Sequence, residues 1–231
     1  MSETAGSRQP SSAQSTVCVP PGDNVWDGDP PSRLGQVLKR VLDVTVATAS
    51  LIILAPLIVY ILLRLKNEEG RPLFVQRRIG KNGKPFLMYK FRTMIPDAEM
   101  QRQRMRSLTN CGRLFKVRND PRVTRFGRSL RRHDLDEIPQ LVNVLKGEMS
   151  MVGPRPPLAE EAANYEERDR LRLSVKPGIT GLWQVDRNRQ WVFEQMVDLD
   201  IRYVRDWSLL LDLKILLQTP LAVLKGRSFD A

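Results

Sequence analysis

Two adjacent carboxylates, Asp136 and Glu137, stand in the stretch RRHDLDEIPQL over residues 131–141. An aspartate beside arginines stays ionised and can attack phosphorus to form an acyl phosphate. Carboxylates can also hold Mg²⁺ together with a substrate diphosphate. The alternative is a surface ion pair with Arg131 or Arg132, which is the better interpretation for an isolated Asp-Glu pair. The surrounding sequence must decide between the two.

Helical geometry restricts how the pair can act together. Adjacent helical residues point about 100° apart, so two such carboxylates cannot face one partner along the side of a helix. At a helix end or a kink near Pro139 they can converge on a metal ion. A reactive pair is therefore expected at an interruption of the helical structure.

Basic residues and glycines are clustered between residues 77 and 94. Glycine permits close backbone approach and Lys or Arg supplies donors, a combination that suits phosphate. A solvated basic hairpin has the same composition, so the cluster alone leaves both interpretations open. Its members are Arg77, Arg78, Gly80, Lys81, Gly83, Lys84, Lys90 and Arg92.

Two further loops are candidates for anion binding. GPRP at 153–156 fixes the backbone on both sides of Arg155, which orients the guanidinium for a bidentate contact. A structural turn with an exposed arginine is equally compatible with this motif. KPGITG at 176–181 is typical of a tight loop, here carrying Lys176.

The overall charge favours anionic partners. The 231 residues include 37 Lys+Arg and 26 Asp+Glu, a formal net charge of +11. Such an excess suits an anionic membrane face, phosphorylated substrates or nucleic acid. Few aromatic residues and no nucleic-acid fold motif argue against nucleic acid. One histidine and the separated Cys18 and Cys111 exclude a His/Cys metal cluster and a disulfide framework, so any metal is a hard cation.

The chain divides into three parts. Residues 1–32 are rich in Ser, Pro and Gly and are expected to be a disordered tail. Residues 33–67 contain a charge-free run from Val44 to Leu63, long enough to match a bilayer's hydrocarbon core. Pro56 interrupts this run and both flanks are basic, so a hairpin returning to one face and a proline-kinked spanning helix are both possible. Residues 68–231 form the remaining domain.

The remaining domain is expected to be α+β and mainly helical. The pattern predicts a β-hairpin over 72–94 with a Lys-Asn-Gly-Lys turn. It predicts helices over 96–108 and 157–175, the latter a charged surface helix, and helical segments around Pro139 that end at Gly147. Residues 191–226 are amphipathic and suit either a packed core or the membrane interface.

Three blocks, in this order, resemble the bacterial sugar transferase family, the monotopic phosphoglycosyl transferases. They are FVQRRIGKNGKPFLMYKFRTM, DPRVTRFGRSLRRHDLDEIPQLVNVLKGEMSMVGPRP and KPGITGLWQV. The resemblance covers about residues 34–225, and the length is similar to that of the minimal form with one membrane helix and a catalytic domain. It implies a re-entrant helix-break-helix at Pro56, a cytosolic catalytic domain with interfacial helices, and a possible homodimer.

The resemblance also implies a reaction. A sugar-1-phosphate is transferred from a UDP-sugar to undecaprenyl phosphate, giving polyprenyl-diphosphate-sugar and UMP. It is the first membrane step of a surface glycan pathway, such as exopolysaccharide or lipopolysaccharide synthesis. The expected place is the cytoplasmic face of the bacterial inner membrane, in contact with membrane lipids.

The roles of individual residues follow from the same resemblance. Asp136 is the expected nucleophile of a covalent, ping-pong mechanism, and Glu137, with Asp136, is expected to bind Mg²⁺. The expected substrate-binding residues are Lys84, Lys90, Arg92, Arg131, Arg155, Lys176 and Asp200.

The sequence departs from the family pattern in two places. Ala55-Pro56 replaces the usual Ser-Pro, which removes a hydroxyl that could satisfy freed backbone groups. QVDRNRQ at 184–190 lacks the usual glycine after QV, which changes a loop near the site where the donor sugar binds. The alternative from another functional class is a membrane-tethered basic binding module without catalysis.

Overall fold

The computed structural model describes residues 32–68, 70–96, 98, 100–101, 120–186 and 193–225. Within these residues the protein is mainly helical, with two small two-stranded sheets. Most of the expected tail, both cysteines, most of the segment after residue 101 that was predicted to be helical, and residues 187–190 lie outside the described residues.

The first described element, α1, runs from Arg33 to Lys66. The Ser32 side chain caps it by accepting a hydrogen bond from the Gly35 N–H at 3.1 Å. Pro56 lies inside this helix, and the helical backbone is continuous through it. The predicted interruption is therefore not a break in secondary structure, although proline leaves the Ile52 carbonyl without its helical donor. The re-entrant path through a membrane stays a prediction.

The predicted β-hairpin is confirmed. Strands β1 (Leu73–Ile79) and β2 (Pro85–Phe91) pair antiparallel. A short 3₁₀ turn over Lys81–Gly83 joins them, with Asn82 at φ 56°. Asparagine tolerates this left-handed conformation better than most residues, which explains the Lys-Asn-Gly-Lys turn.

The segment around Pro139 is helical in three short pieces, as predicted. They are α2 (Arg125–Arg132), a 3₁₀ turn (Leu135–Glu137) and α3 (Gln140–Lys146). Gly147 ends α3 with φ +81°, the left-handed conformation that glycine adopts without strain. The carboxylate pair therefore lies at an interruption between helices.

The second sheet joins the GPRP and KPGITG loops. Strands β3 (Ser150–Val152) and β4 (Gly178–Thr180) are parallel. A Cβ on Gly153 would lie 2.5 Å from the Lys176 carbonyl oxygen, and one on Gly178 would lie 2.1 Å from the Gly153 nitrogen. Only glycine fits at this crossing, so the two loops are held directly against each other.

The prediction of one charged surface helix over 157–175 is wrong. The segment forms α4 (Ala159–Ala163), α5 (Glu167–Arg170) and a 3₁₀ turn (Leu171–Ser174). It contributes buried side chains to a small second core, including Ala162, Tyr165 and Leu171. Burial of these apolar groups needs a chain that turns around them, which a single exposed helix cannot provide.

Three more helices complete the described chain: α6 (Leu182–Val185), α7 (Phe193–Arg205) and α8 (Leu209–Leu224). The main core lies between α1, β2, α3, β3, α7 and α8. Helix α8 presents an exposed apolar face of Leu210, Leu213, Leu217, Leu221 and Leu224.

Candidate active site

Asp136 and Glu137 occupy the 3₁₀ turn between α2 and α3. Asp134, immediately before this turn, has φ +53°, an uncommon conformation outside glycine that aspartate tolerates. Asp136 is buried and Glu137 is partly exposed. A 3₁₀ turn spaces adjacent residues about 120° apart, no closer than an α-helix does. The two carboxylates nevertheless contact one cation, because a long side chain reaches both from β2.

Lys90 is the cation that both carboxylates contact. Its Nζ lies 2.8 Å from Glu137 Oε1 and 3.8 Å from Asp136 Oδ2. The cation that both carboxylates share thus comes from β2 and not from the arginines that precede them in sequence. A partly buried ammonium ion at this distance stabilises the ionised form of both carboxylates.

Asn143 holds β2 against α3 and so places Lys90 beside the turn. Its side chain is fully buried. The amide Nδ2 donates to the Leu87 carbonyl at 2.7 Å, and Oδ1 accepts from the Tyr89 N–H at 3.1 Å. Because these bonds lie next to Lys90 in the strand, they fix its register relative to the helix that follows Glu137.

Arg131 is anchored to Thr93, in the segment that follows β2. Its Nε donates to Thr93 Oγ1 at 2.8 Å. Gly127 lets α2 approach Thr93, since a Cβ there would lie 2.1 Å from the Thr93 carbonyl oxygen. The structure thus places Arg131 on α2, with its guanidinium held by the segment that follows Lys90.

The structure places Arg92 and Lys84 differently from Lys90. Arg92 lies at the end of α1, where its guanidinium donates to the Leu65 carbonyl at 3.4 Å and faces Glu68 at 3.8 Å. Lys84 is exposed at the hairpin turn. Arg92 therefore connects the segment after β2 to the end of α1, and the substrate roles expected for both residues stay predictions.

Arg155 of GPRP is held by an acidic partner. Its Nη1 lies 2.9 Å from Glu161 Oε2. Burial by itself raises the pKa of the Glu161 carboxyl, but Arg155, the Leu158 N–H and Arg78 outweigh it and keep that pKa below its ordinary value. The ionised Glu161 fixes the Arg155 guanidinium while leaving its side chain partly exposed.

Asp200 is placed beneath this loop. Its Oδ2 accepts from Arg172 Nη2 at 2.5 Å and from the Arg155 backbone N–H at 3.3 Å. The side chains of both Asp200 and Arg172 are almost completely buried. Asp200 Oδ2 thus positions the loop that carries Arg155, whereas the buried Oδ1 accepts no hydrogen bond from the described residues. The substrate contact expected for Asp200 stays a prediction.

Lys176 belongs to the second loop of the glycine crossing, KPGITG. Burial lowers the pKa of its ammonium group, Arg40 lowers it further and Asp43 opposes these shifts. The loop crossing brings the GPRP and KPGITG motifs together. Their basic residues and Lys90 do not share a partner: Lys90 contacts the carboxylate pair, whereas Arg155 contacts Glu161.

Asp136 and Glu137 suit Mg²⁺ only if substrate phosphates and water supply the other coordinating oxygens. Within the described residues, no group of three or more His, Cys, Asp or Glu side chains could hold a metal ion. Mg²⁺ commonly uses one or two carboxylates plus substrate phosphates and water. Asp136 and Glu137 supply two carboxylates, which is enough for such a site. In this structure, however, the Lys90 ammonium group occupies the position beside Glu137 that Mg²⁺ would take.

Several positioning residues were missed from the sequence. Asp212 is buried and joins α1, α7 and α8: it accepts from Lys39 Nζ at 2.7 Å and from Tyr203 Oη at 2.7 Å. Asp43 accepts from Ser150 Oγ and the Met151 N–H, both at 2.9 Å. The available signal was an aspartate next to or inside an apolar run, which requires a partner when buried.

Comparison with known proteins agrees with the motif order. A protein-family model described as Bacterial sugar transferase matches residues 34–226. Galactosyl transferase CpsE of Streptococcus agalactiae is 42% identical over 192 residues, covering 82% of this chain and 43% of that protein.

Two further relatives match a similar share of this chain but differ in how much of their own length is covered. Exopolysaccharide production protein ExoY of Sinorhizobium fredii is 38% identical, covering 84% of this chain and 88% of that protein. The UDP-glucose:undecaprenyl-phosphate glucose-1-phosphate transferase of Escherichia coli is 38% identical, covering 85% of this chain and 42% of that protein. The chain thus spans less than half of two of these relatives and most of the third.

Proposed function

The chain belongs to the bacterial sugar transferase family, and from this premise we propose that it transfers a sugar-1-phosphate from a UDP-sugar to undecaprenyl phosphate. The names of relatives support this proposal. One is an undecaprenyl-phosphate galactose phosphotransferase of Salmonella typhimurium, 38% identical to this chain over 198 residues. UDP-galactose and UDP-glucose are the first donors to test.

The proposed chemistry has two balanced steps. A carboxylate oxygen of Asp136 attacks the β-phosphorus of the donor, and the bond from that phosphorus to the bridging oxygen breaks, which releases UMP. A phosphate oxygen of undecaprenyl phosphate then attacks the same phosphorus. The bond to Asp136 breaks, the carboxylate is restored and polyprenyl-diphosphate-sugar leaves. Because the two anionic substrates react in turn, they need not occupy the positive site together.

The observation that carries the proposal is the contact of Lys90 with both carboxylates. A nucleophilic aspartate must be ionised, and the ammonium ion 3.8 Å from Asp136 favours that form. The same ammonium ion can neutralise charge on a transferring phosphoryl group. Burial of Asp136 limits competing attack by water, which would hydrolyse an acyl phosphate.

Replacing Lys90 by glutamine should lower kcat/KM for UMP formation by about ten- to a hundredfold, because one charged contact in the transition state is lost. K90R should retain more activity than K90Q. Lys66→Gln is the matched control, since it removes one positive charge from an exposed site at the end of α1. UMP release measured with donor and polyprenyl phosphate is the readout, and K90Q with wild-type kcat/KM would contradict this role.

We also propose that Mg²⁺ enters with the donor and that Glu137, assisted by Asp136, holds it. Bound Mg²⁺ would neutralise the donor diphosphate. The support is chemical: two carboxylates suit this ion only when phosphate oxygens complete its coordination. Lys90 would then leave Glu137 and donate its hydrogen bonds to the donor phosphate instead.

Removal of Mg²⁺ by chelation should abolish UMP release, and calorimetry should show weak Mg²⁺ binding to the protein alone. A non-hydrolysable UDP-sugar analogue should tighten that binding by about tenfold or more in the wild-type protein, because phosphate oxygens complete the coordination. The E137Q variant should lose this gain. Tight Mg²⁺ binding without any nucleotide would show that the protein alone forms the site, contrary to the proposal.

For the membrane arrangement we propose that α1 enters and leaves on the cytoplasmic side. It is the one helix in the described part of the chain that is long and apolar enough to cross a membrane. Polar groups of the same domain contact both of its ends: Arg40 donates to the Val144 carbonyl at 2.6 Å, and Leu65 accepts from Arg92. A straight spanning helix would place these polar contacts on opposite sides of the bilayer. The exposed leucines of α8 suit the interface beside it.

Single cysteines at Leu38 and Lys66, in a chain with Cys18 and Cys111 replaced by serine, should both react with a membrane-impermeant maleimide from the same side of sealed vesicles. Both positions are exposed, so reactivity reports topology. A cysteine replacing exposed Asp206 marks the side of the catalytic domain. Labelling of residues 38 and 66 from opposite faces would rule out the re-entrant arrangement.

The test of the function as a whole is UMP release across a panel of UDP-sugars with undecaprenyl phosphate in detergent or nanodiscs. The proposal expects release with at least one donor and a polyprenyl-diphosphate-sugar product of matching mass. No release with any donor, together with salt-sensitive binding to arbitrary DNA or anionic vesicles, would favour the non-catalytic binding module.

A further inference from the structure

A second cluster of positive groups surrounds Gly147, at the end of α3 farther from Asp136. The Lys176 Nζ and the Arg40 Nη2 lie 3.6 Å and 3.7 Å from the point that a Cβ on Gly147 would occupy. A side chain at this position would lie against both cations, so glycine leaves the approach to them open. Lys176, Arg40 and Gly147 are each partly exposed, so this approach opens to the surface.

The two cations differ in what they contact. Arg40 donates to the Val144 and Leu145 carbonyls at 2.6 Å and 2.8 Å, which fixes its guanidinium. Lys176 makes no side-chain hydrogen bond or ion pair with the part of the chain that the structure describes. A half-buried ammonium ion held beside an arginine is costly unless an anion joins it.

The nearby acids keep their negative charge, because only neutral groups are seen to donate to them. Asp43 accepts from Ser150 and Met151, and Glu148 accepts from Asn143 Nδ2 at 2.7 Å. Lys81 and Lys39 lie close enough to Lys176 to lower its pKa, and Lys39 is paired with Asp212. Lys176, Arg40 and Lys81 thus outnumber Asp43 and Glu148, so the net charge around Gly147 is positive.

We propose that Lys176 and Arg40, around Gly147, form a second anion site that binds the phosphate group of a membrane lipid. Arg40 lies four residues before the charge-free run that starts at Val44, so the site lies at the level where that run would enter the bilayer. The seven residues of α3 separate it from Asp136 and Glu137 by about 10 Å, so a phosphate here is not the one that reacts. The inference rests on the membrane association in the proposed function.

The test is binding of the full chain, reconstituted in nanodiscs, to short-chain lipid added in increasing concentration. The probes are phosphatidylglycerol, undecaprenyl phosphate and phosphatidylcholine, with native mass spectrometry counting the bound lipids. Lys176→Gln should weaken binding of at least one of the two anionic lipids by about ten- to a hundredfold, as expected for one charged phosphate contact. Lys66→Gln, with the same charge change at the other end of α1, should have a much smaller effect.

The two anionic lipids distinguish the source of the phosphate. Loss with both identifies a general headgroup site, and loss with undecaprenyl phosphate alone identifies a holding site for the acceptor; either result supports the proposal. Equal effects of K176Q and K66Q would mean diffuse charge attraction and would overturn it. Tight binding of inorganic phosphate, abolished by K176Q, would assign the site to a soluble ligand and would also overturn it.

Gly147→Ala provides a second variant at the same position. Its methyl group would lie in contact with both cations, so lipid binding should fall although no charge is lost. Since φ +81° disfavours alanine, the thermal unfolding midpoint is measured in parallel. A folded G147A variant that binds anionic lipid as wild type does would contradict the site. Failure of the proposed function would be seen in a different measurement, as absence of UMP release by the wild-type chain.

Discussion

Asp136→Asn should reduce UMP release by at least about a thousandfold, because an amide cannot replace the carboxylate as nucleophile. The substitution keeps the size of the side chain in its buried position, so the 3₁₀ turn and the Lys90 contact with Glu137 are expected to survive. Donor binding should be retained or only weakly changed.

Asp206→Asn is the matched control for this result. Asp206 is exposed and forms a surface pair with Arg202, so the same chemical change should leave activity near that of the wild-type protein. Circular dichroism and the thermal midpoint should be unchanged in both variants. Full UMP release by a folded D136N variant would remove Asp136 from the nucleophile role.

Asp200→Ala should destabilise the protein by about 3–5 kcal/mol, since it leaves the buried guanidinium of Arg172 without its counter-charge. The GPRP loop also loses the acceptor of the Arg155 N–H, so activity should fall in the variant that still folds. Denaturant unfolding in detergent, followed by circular dichroism, measures the first effect.

Asp198 provides the control for this prediction, on the same helix. Its pair with Arg168 is exposed on both sides, and D198A should therefore cost less than about 1 kcal/mol. Adding Arg172→Met to D200A should recover part of the lost stability because it removes the unpaired charge. Equal destabilisation by D200A and D198A would contradict the buried-pair account.

Local patterns were sufficient to predict much of the fold. The Lys-Asn-Gly-Lys turn predicted the hairpin, and Gly147 marked the end of α3, because each of these features depends on neighbours in sequence. The carboxylate pair and Lys90 were also predicted as site residues. The contact between them joins residues 47 positions apart, and no local pattern specifies such a contact.

The missed features depend on tertiary packing. The Asp200–Arg172 pair joins α7 to the 3₁₀ turn before KPGITG. Arg172 resembles an ordinary surface residue when residues 157–175 are taken as one helix. The glycine crossing of the two loops is visible only when both strands are placed. For Pro56, the sequence indicated a break, whereas the backbone accommodates proline within a continuous α1.

The central claim is that Asp136 carries the phosphosugar, and the most direct test is mass spectrometry of the intact enzyme mixed with an accepted UDP-sugar and no polyprenyl phosphate. The account predicts one UMP released per enzyme and an added sugar-phosphate mass on the peptide that contains Asp136. Addition of undecaprenyl phosphate should remove this mass and yield polyprenyl-diphosphate-sugar. UMP release that requires the acceptor, with no added mass on the enzyme under any condition, would contradict the claim.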